Sequence, residues 1–397
     1  MDKKNKNPNV PNLRFPQFIE PWNNYIVSEL LTTFPTNSLS WDQLAYDQDS
    51  SLKNLHYGLI HNGFQTTCIA GEDRLFPYIN QSFIPLKHTL IQNGDLILAD
   101  ASEDRKDVGR PVEMLDIGDQ KIVSGLHTIH AKNKTNLIVN GFKGFYFQSS
   151  AMKQQIFKIA NGSKIYGISS SAFNELKMFI PEKQEQKKIV DLMIKIEKKI
   201  QTQSKIINDY KLLKKYITKS FIKQKGTSYL LSEIAELGRG RVISSAEISK
   251  QKNPIYPVYS SQTSNNGVMG YLDNYDYEGE YITWTTDGAN AGTVYYRNGK
   301  FNCTNVCGIL KIKNGYDAYY ISNILNCYTK KYVSTNLANP KLMNNVMANI
   351  KINLPSIERQ KYFSNILKAI EYRVKIEQDI KLNLVKQKVF LLKNMFL

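Results

Sequence analysis

The sequence predicts an α+β chain, with two β-rich mixed domains joined by two long repeat helices that pack on each other. Three observations carry this. Residues 166–222 and 340–396 align without a gap at a constant offset of 174, so that MFIPEKQEQKKIVDLMIKIEKKI answers to INLPSIERQKYFSNILKAIEYRV. Each copy carries a long apolar heptad pattern that begins just after a proline. The segments before and between the copies are rich in Tyr, Val, Ile, Thr and Gly in short alternating runs, the pattern of twisted sheet with polar loops. A repeat this long, interrupted by a domain-sized stretch, implies two structurally equivalent halves.

The elements follow in order. Residues 1–11 read as a polar tail, and the opening MDKKNKNPNVPN lacks the apolar core of a signal peptide. Residues 12–165 form the first β-rich domain, 166–224 the central repeat helix, 225–339 the second domain and 340–397 the C-terminal repeat helix. The two domains echo each other faintly. Tyr25–Leu30 (YIVSEL) resembles Tyr229–Ile234 (YLLSEI), and NGDLILADAS from Asn93 resembles EGEYITWTTD from Glu278. In both, a Gly-acid turn leads into a strand that ends in small polar residues, and a glycine (Gly109, Gly292) precedes a further strand.

Each repeat opens with a short strand-like run, Met178-Phe179-Ile180 or Ile352-Asn353-Leu354, then Pro181 or Pro355. Proline suits the first turn of a helix, where its missing N–H would have no partner. The seam of the first helix takes Ile189, Met193, Ile196, Ile200 and Ile207. That of the second takes Phe363, Leu367, Ile370, Val374 and Leu384. Polar breaks correspond as well, Gln203 with Glu377 and Lys214 with Lys388, and such breaks fix register at some cost in stability.

The net charge is +17 and the pI near 9.4. This excess favours a polyanionic partner through phosphate contacts that release counterions. The ten lysines from Lys187 to Lys219 that crowd the first helix read equally as a solvated face. In the second domain, charge is interleaved with hydrogen-bonding and aromatic side chains: Arg239, Arg241, Gln262, Asn265, Asn266, Trp284, Asn290, Arg297 and Lys300. These residue types read base edges. The corresponding candidates in the first domain are Arg105, Lys106, Arg110 and His127.

The motifs of catalysis are incomplete. Asn253-Pro254-Ile255-Tyr256 lacks the second proline of an amino-methyltransferase tetrad and reads as a loop-to-strand junction. Asn298-Gly299-Lys300 has its upstream glycine misplaced for a phosphate loop and reads as a hairpin turn between YYR and FNC. Glu175-Leu176-Lys177 lacks the Pro-Asp pair that a metal nuclease would need. All five histidines lie in the first domain, which argues against a duplicated active site. His127 and His130 alternate in SGLHTIHAK, where a recognition face and a half-buried strand are both open. A non-catalytic chain with no metal and no cofactor of its own is expected. Four cysteines (Cys68, Cys303, Cys307, Cys327) without paired zinc spacing fit a reduced, cytoplasmic protein, and no apolar run approaches the ~18–20 residues that cross a bilayer.

Nearly the whole chain resembles the DNA-specificity subunits of type I restriction–modification systems. The resemblance rests on LRFPQF followed by Trp22, on Pro-x-x-x-x-Gln at Pro181/Gln186 and Pro355/Gln360, and on TTDGANAGTVYYRNGKF from Thr285. It implies two target-recognition domains, each reading one half of a split double-stranded DNA site, and repeat helices that form an antiparallel coiled coil holding them apart and setting the spacer. It further implies two modification subunits that bring the adenine methyltransferase and its S-adenosylmethionine, with two restriction subunits able to join. A coiled-coil scaffold without sequence-specific DNA recognition is the alternative, and an enriched bipartite DNA sequence would separate the two.

Overall fold

The computed structural model describes residues 9–47, 51–63, 67–69, 76–222, 224–334 and 339–397. The expected tail at 1–11 falls mostly outside them, but its described end is tied down: the Trp22 N–H donates to the Asn9 carbonyl at 2.9 Å. The chain forms two compact units. One comprises the residues up to Ser204 together with Asp379–Leu397, and the other comprises Lys205–Gln378.

In the first unit, β1 (Asn23–Ile26), β2 (Leu31–Phe34), β3 (Leu96–Ala99), β4 (Pro111–Leu115), β5 (Thr128–Asn133) and β6 (Lys177–Ile180) frame the domain. The main sheet has the order β2-β5-β3-β4, extended by Thr67–Ile69 lying parallel to β4. All four residues of β3 are buried, as expected of a central strand covered on both faces. Gly94 turns the chain into β3 at φ +87°, a conformation that glycine adopts without steric cost. A smaller four-stranded sheet joins Leu44–Ala45, Lys53–Leu55, Tyr78–Ile79 and Ile122–Ser124.

The second unit repeats the plan with β7 (Thr227–Leu230), β8 (Ala235–Arg239), β9 (Tyr256–Tyr259), β10 (Val268–Leu272), β11 (Tyr277–Thr285), β12 (Val294–Cys303), β13 (Cys307–Ile312) and β14 (Lys351–Leu354). Its sheet runs β8-β13-β11-β12-β9-β10. The first four strands match β2-β5-β3-β4 in order, so the faint echo between the domains is a shared topology. Two details differ from the sequence reading. Gly279 lies inside β11, not in a turn before it, and Asn298-Gly299-Lys300 continues β12 instead of forming a hairpin turn. Gly299 (φ +102°) pairs with Gly279 (φ +105°), and two facing glycines let the ladder coil there without breaking. The tetrad-like Asn253–Tyr256 does lead from a loop into β9.

Each domain joins its helix through the same device. β1 pairs antiparallel with β6, and β7 with β14, in each case the strand just before a repeat helix. The Val27 N–H donates to the Leu176 carbonyl at 2.8 Å, and the Leu231 N–H to the Ile350 carbonyl at 3.1 Å. Gln186 and Gln360 complete the joint. The amide of Gln186 donates to the Pro181 carbonyl and its own carbonyl accepts from the Val139 N–H. Gln360 does the same with Pro355 and Asp317. The repeated Pro-x-x-x-x-Gln is therefore a buried latch that ties helix to domain.

The helices proper run Lys183–Ile222 and Ile357–Asn394, 40 and 38 residues. Both start two residues after the proline, so the expected helical segments 166–224 and 340–397 open with a short helix (Ser170–Asn174, Asn344–Ala348) and then β6 or β14 before the long helix begins. In the first unit, Ile189, Met193 and Ile196 share a core with Leu391, Leu392, Met395 and Phe396. In the second, Phe221 packs on Phe363, in a core with Leu367. The early part of one helix thus meets the late part of the other in both units, which makes the pairing antiparallel. Ile207 and Ile370 are buried, and Ile200, Val374 and Leu384 half-buried. Among the described residues no helix is long and apolar enough to cross a membrane.

Candidate nucleic-acid interface

In the first domain His61 and His127 border a crevice of about 470 Å³ that Tyr57, Asn62, Ser102 and Asp104 also line. The short helix Tyr57–His61 positions three aromatic rings. His56 caps its start by accepting from the Gly58 N–H at 3.1 Å, an acceptor role that only the neutral ring can fill. Its ring lies against Trp41 and Tyr57. Burial, helped by neighbouring His127, pushes the His56 pKa down to about 4. His61 is held in the opposite state. Its ring nitrogens meet the Asp107 carboxylate at 2.8 Å and the Ala101 carbonyl at 2.9 Å, both acceptors. The hydrogen bond to Asp107 outweighs burial and raises the His61 pKa.

His127 is exposed, in a left-handed backbone conformation (φ +54°), with Asp100 at 3.3 Å and the Tyr57 ring edge-on at 5.3 Å. His130, three residues on, is fully buried against Asp95 at 2.8 Å. The two therefore differ in surroundings, one exposed and the other in the core. Lys106 is exposed. Arg110 bonds the His61 carbonyl at 3.1 Å and approaches Asp107, while Arg105 lies over the Phe157 ring and bonds the Ala160 carbonyl. Both arginines are engaged within the domain.

In the second domain the candidates separate sharply. Trp284 is 0 % exposed, and its indole N–H donates to the Leu342 carbonyl at 3.0 Å. Any Cβ at position 308 would fall 2.1 Å from its ring, so Gly308 is the surface it packs on. Trp284 is a core residue and cannot touch a base in the folded domain, which corrects the sequence reading. Arg241, expected among the reading residues, is exposed but clasped by Glu247 (2.6 Å) and Asp276 (3.1 Å). Gln262 is half-buried and donates its amide to the Val268 carbonyl, so it staples a loop. Arg239 is exposed and leans on Asn344 and Met343. Lys300 is exposed over the Tyr275 ring, with Glu278 at 3.8 Å. Asn265, Asn266 and Asn290 are exposed at loop tips. Arg297 is buried.

The family model for the type I restriction modification DNA specificity domain matches twice, at residues 78–211 and 226–387, together more than half of the chain. The chain belongs to that family. Its two matched segments each run from a domain into a helix of this specificity fold. A putative type I specificity subunit of Mycoplasma pneumoniae is 35% identical over 222 residues, 54% of this chain and 82% of that protein. Another from the same organism is 44% identical over 142 residues, 35% of this chain and 75% of the relative. The crystal structure of the S subunit of a type I restriction–modification system from M. genitalium matches over 98% of this chain and 99% of that one, with a TM-score of 0.60 at 14% identity. That likeness bears on the fold of the specificity subunit. The latch glutamines and the glycine pair of β11 and β12 were absent from the sequence reading as functional parts. Their signals were in the repeat itself and in two glycines at strand-like positions.

Proposed function

We propose that this chain is the DNA-reading subunit of a type I restriction–modification complex, each domain reading one half of a bipartite duplex site and the paired helices setting the spacer between them. The observation that carries this is the duplication: one sheet order, one latch and one family match, each present twice in one chain. In this reading, two modification subunits dock on the repeats and supply the adenine methyltransferase with its S-adenosylmethionine, and restriction subunits with translocase activity join the same assembly. The chain itself contributes recognition and no catalysis, and it works in the cytoplasm. Exposed groups, among them Lys106, His127, Asn265, Asn266 and Asn290 in turns and Lys300 on β12, are its candidate DNA contacts.

The test is methylome sequencing of the host with and without the gene. A two-part adenine-methylated motif with a fixed spacer should vanish on deletion. An unchanged methylome would overturn the reading.

A further inference from the structure

Between β9 and β10 the chain turns through Ser264–Gly267. Asn265 and Asn266 both adopt left-handed backbone, at φ 47° and 52°, and Gly267 follows at φ 84°. Left-handed backbone is uncommon outside glycine, although asparagine tolerates it better than most residues, and strained backbone of this kind persists only where the surroundings enforce it. Here they do. The Ser260 N–H donates to the Gly267 carbonyl at 2.9 Å, and the Gln262 amide to the Val268 carbonyl. From beneath, Arg297 Nη2 donates to the Asn266 carbonyl at 2.9 Å. Both asparagine side chains are left exposed at the tip.

Arg297 is only 4 % exposed. Its Nε donates to Thr283 Oγ1 at 3.1 Å, and its guanidinium lies over the rings of Tyr259 (3.5 Å) and Tyr295 (4.4 Å). Among the described residues no carboxylate pairs with it. Neutral oxygens and ring faces hold a cation in place without cancelling its charge. Its field therefore reaches solvent through the turn it supports, where a polyanion would be attracted.

We propose that the Asn265–Asn266 turn is a base-reading tip of the second domain and that Arg297 is its positioning residue; this rests on the half-site reading above. The amide of asparagine matches the N6 and N7 edge of adenine in the major groove. The second half-site should therefore contain an A·T pair read by this tip.

The test expresses the full chain with its modification subunits and reads the methylated motif on host genomic DNA. Replacing both residues (Asn265→Gly with Asn266→Gly) keeps the turn, because glycine adopts positive φ freely, and removes only the amides. One or two positions of the second half-site should then relax, with preference for the original base falling about 10- to 100-fold, while the first half stays intact. Arg297→Lys keeps the charge but cannot hold Thr283 and Asn266 together. It should relax the same positions and add little when combined with the double glycine variant. An unchanged motif in the double glycine variant, or a uniform loss of methylation without relaxation, overturns the proposal. A wild-type complex that methylates no bipartite motif overturns the half-site reading as well, and does so before any variant is made.

Discussion

Lys388 Nζ lies 2.6 Å from Glu197 Oε1, and the residues 174 positions away repeat the pair with its members exchanged between the helices, Lys214 with Glu371. Each helix contributes one acid and one base, so the internal symmetry of the chain reaches individual charges. The two pairs differ in environment. Glu197 and Lys388 are largely buried, and Glu197 also accepts from Thr67 Oγ1 at 3.1 Å, whereas Glu371 is exposed and Lys214 half-buried.

That difference sets the first prediction. Glu197→Gln should lower stability by about 1–3 kcal/mol, because it weakens charge-assisted bonding at a largely buried site. Glu371→Gln should cost less than about 1 kcal/mol, since exposed pairs are screened. Urea unfolding of the two variants tests the ranking, and equal losses would contradict it.

The latch glutamines make a second prediction. Gln186→Ala and Gln360→Ala each strand a buried proline carbonyl and a backbone N–H, at about 1–3 kcal/mol per unsatisfied group. Hydrogen exchange should rise first at Val139 and Asp317, where the lost acceptors sat. Protection retained at both amides would mean that the latch is dispensable.

These joints also show how far the sequence could be read. The repeat and the heptads follow from periodicity and internal alignment, because a helix seam is a local pattern, whereas the antiparallel sense of the pairing is implied by the family resemblance alone. Pro181 and Gln186 were visible as a motif, but their purpose was not, since the Val139 and Leu137 backbone they bond lies far off in the chain. Composition selected Trp284 and Arg241 as reading residues. It could not foresee that one fills a core over Gly308 and the other is clasped by two carboxylates, because both facts depend on long-range packing. Asn265 and Asn266 had no local signature beyond their type. Only the backbone angles single them out.

A third prediction concerns pH. The His56 pKa is lowered to about 4 from its ordinary 6.5, so the folded state resists protonation of this ring. Its contribution is fully present above pH 6.5 and is lost as the pH falls toward 4. The His61 pKa is raised, so its pairing with Asp107 contributes below pH 6.5 and fades as the pH rises through the raised value. His56→Asn retains a helix cap and should flatten the loss of stability of the first domain between pH 6.5 and 4. A slope equal to that of the wild type in urea titrations at several pH values would refute the assignment.

A fourth prediction follows from modular reading. Replacing residues 226–339 with the matching segment of a relative should change only one half of the methylated motif. Simultaneous change in both halves would show that the domains do not read independently.

A fifth concerns the spacer. Inserting one heptad at matching positions in both helices preserves the seam and adds ~10 Å of helix. The preferred spacer should lengthen by about three base pairs at ~3.4 Å each, with reduced affinity because the added pairs rotate one half-site. An insertion in one helix only should shift the Lys388–Glu197 and Lys214–Glu371 partners out of register and destabilise the chain. A well-folded double-insertion variant with an unchanged spacer would refute the reading that the paired helices set the spacer.

The shared joint has a consequence for descent. The edge-strand pair, the proline carbonyl and the glutamine that fasten a domain to its helix recur in both halves, Pro181 with Pro355 and Gln186 with Gln360 at the offset of 174. A genetic exchange with breakpoints in the two repeats would carry a whole recognition surface across and meet the same fastening on the other side. Drift between the joints is free to alter what is read, and one such exchange can replace it outright without the recipient having to evolve a new way of holding it.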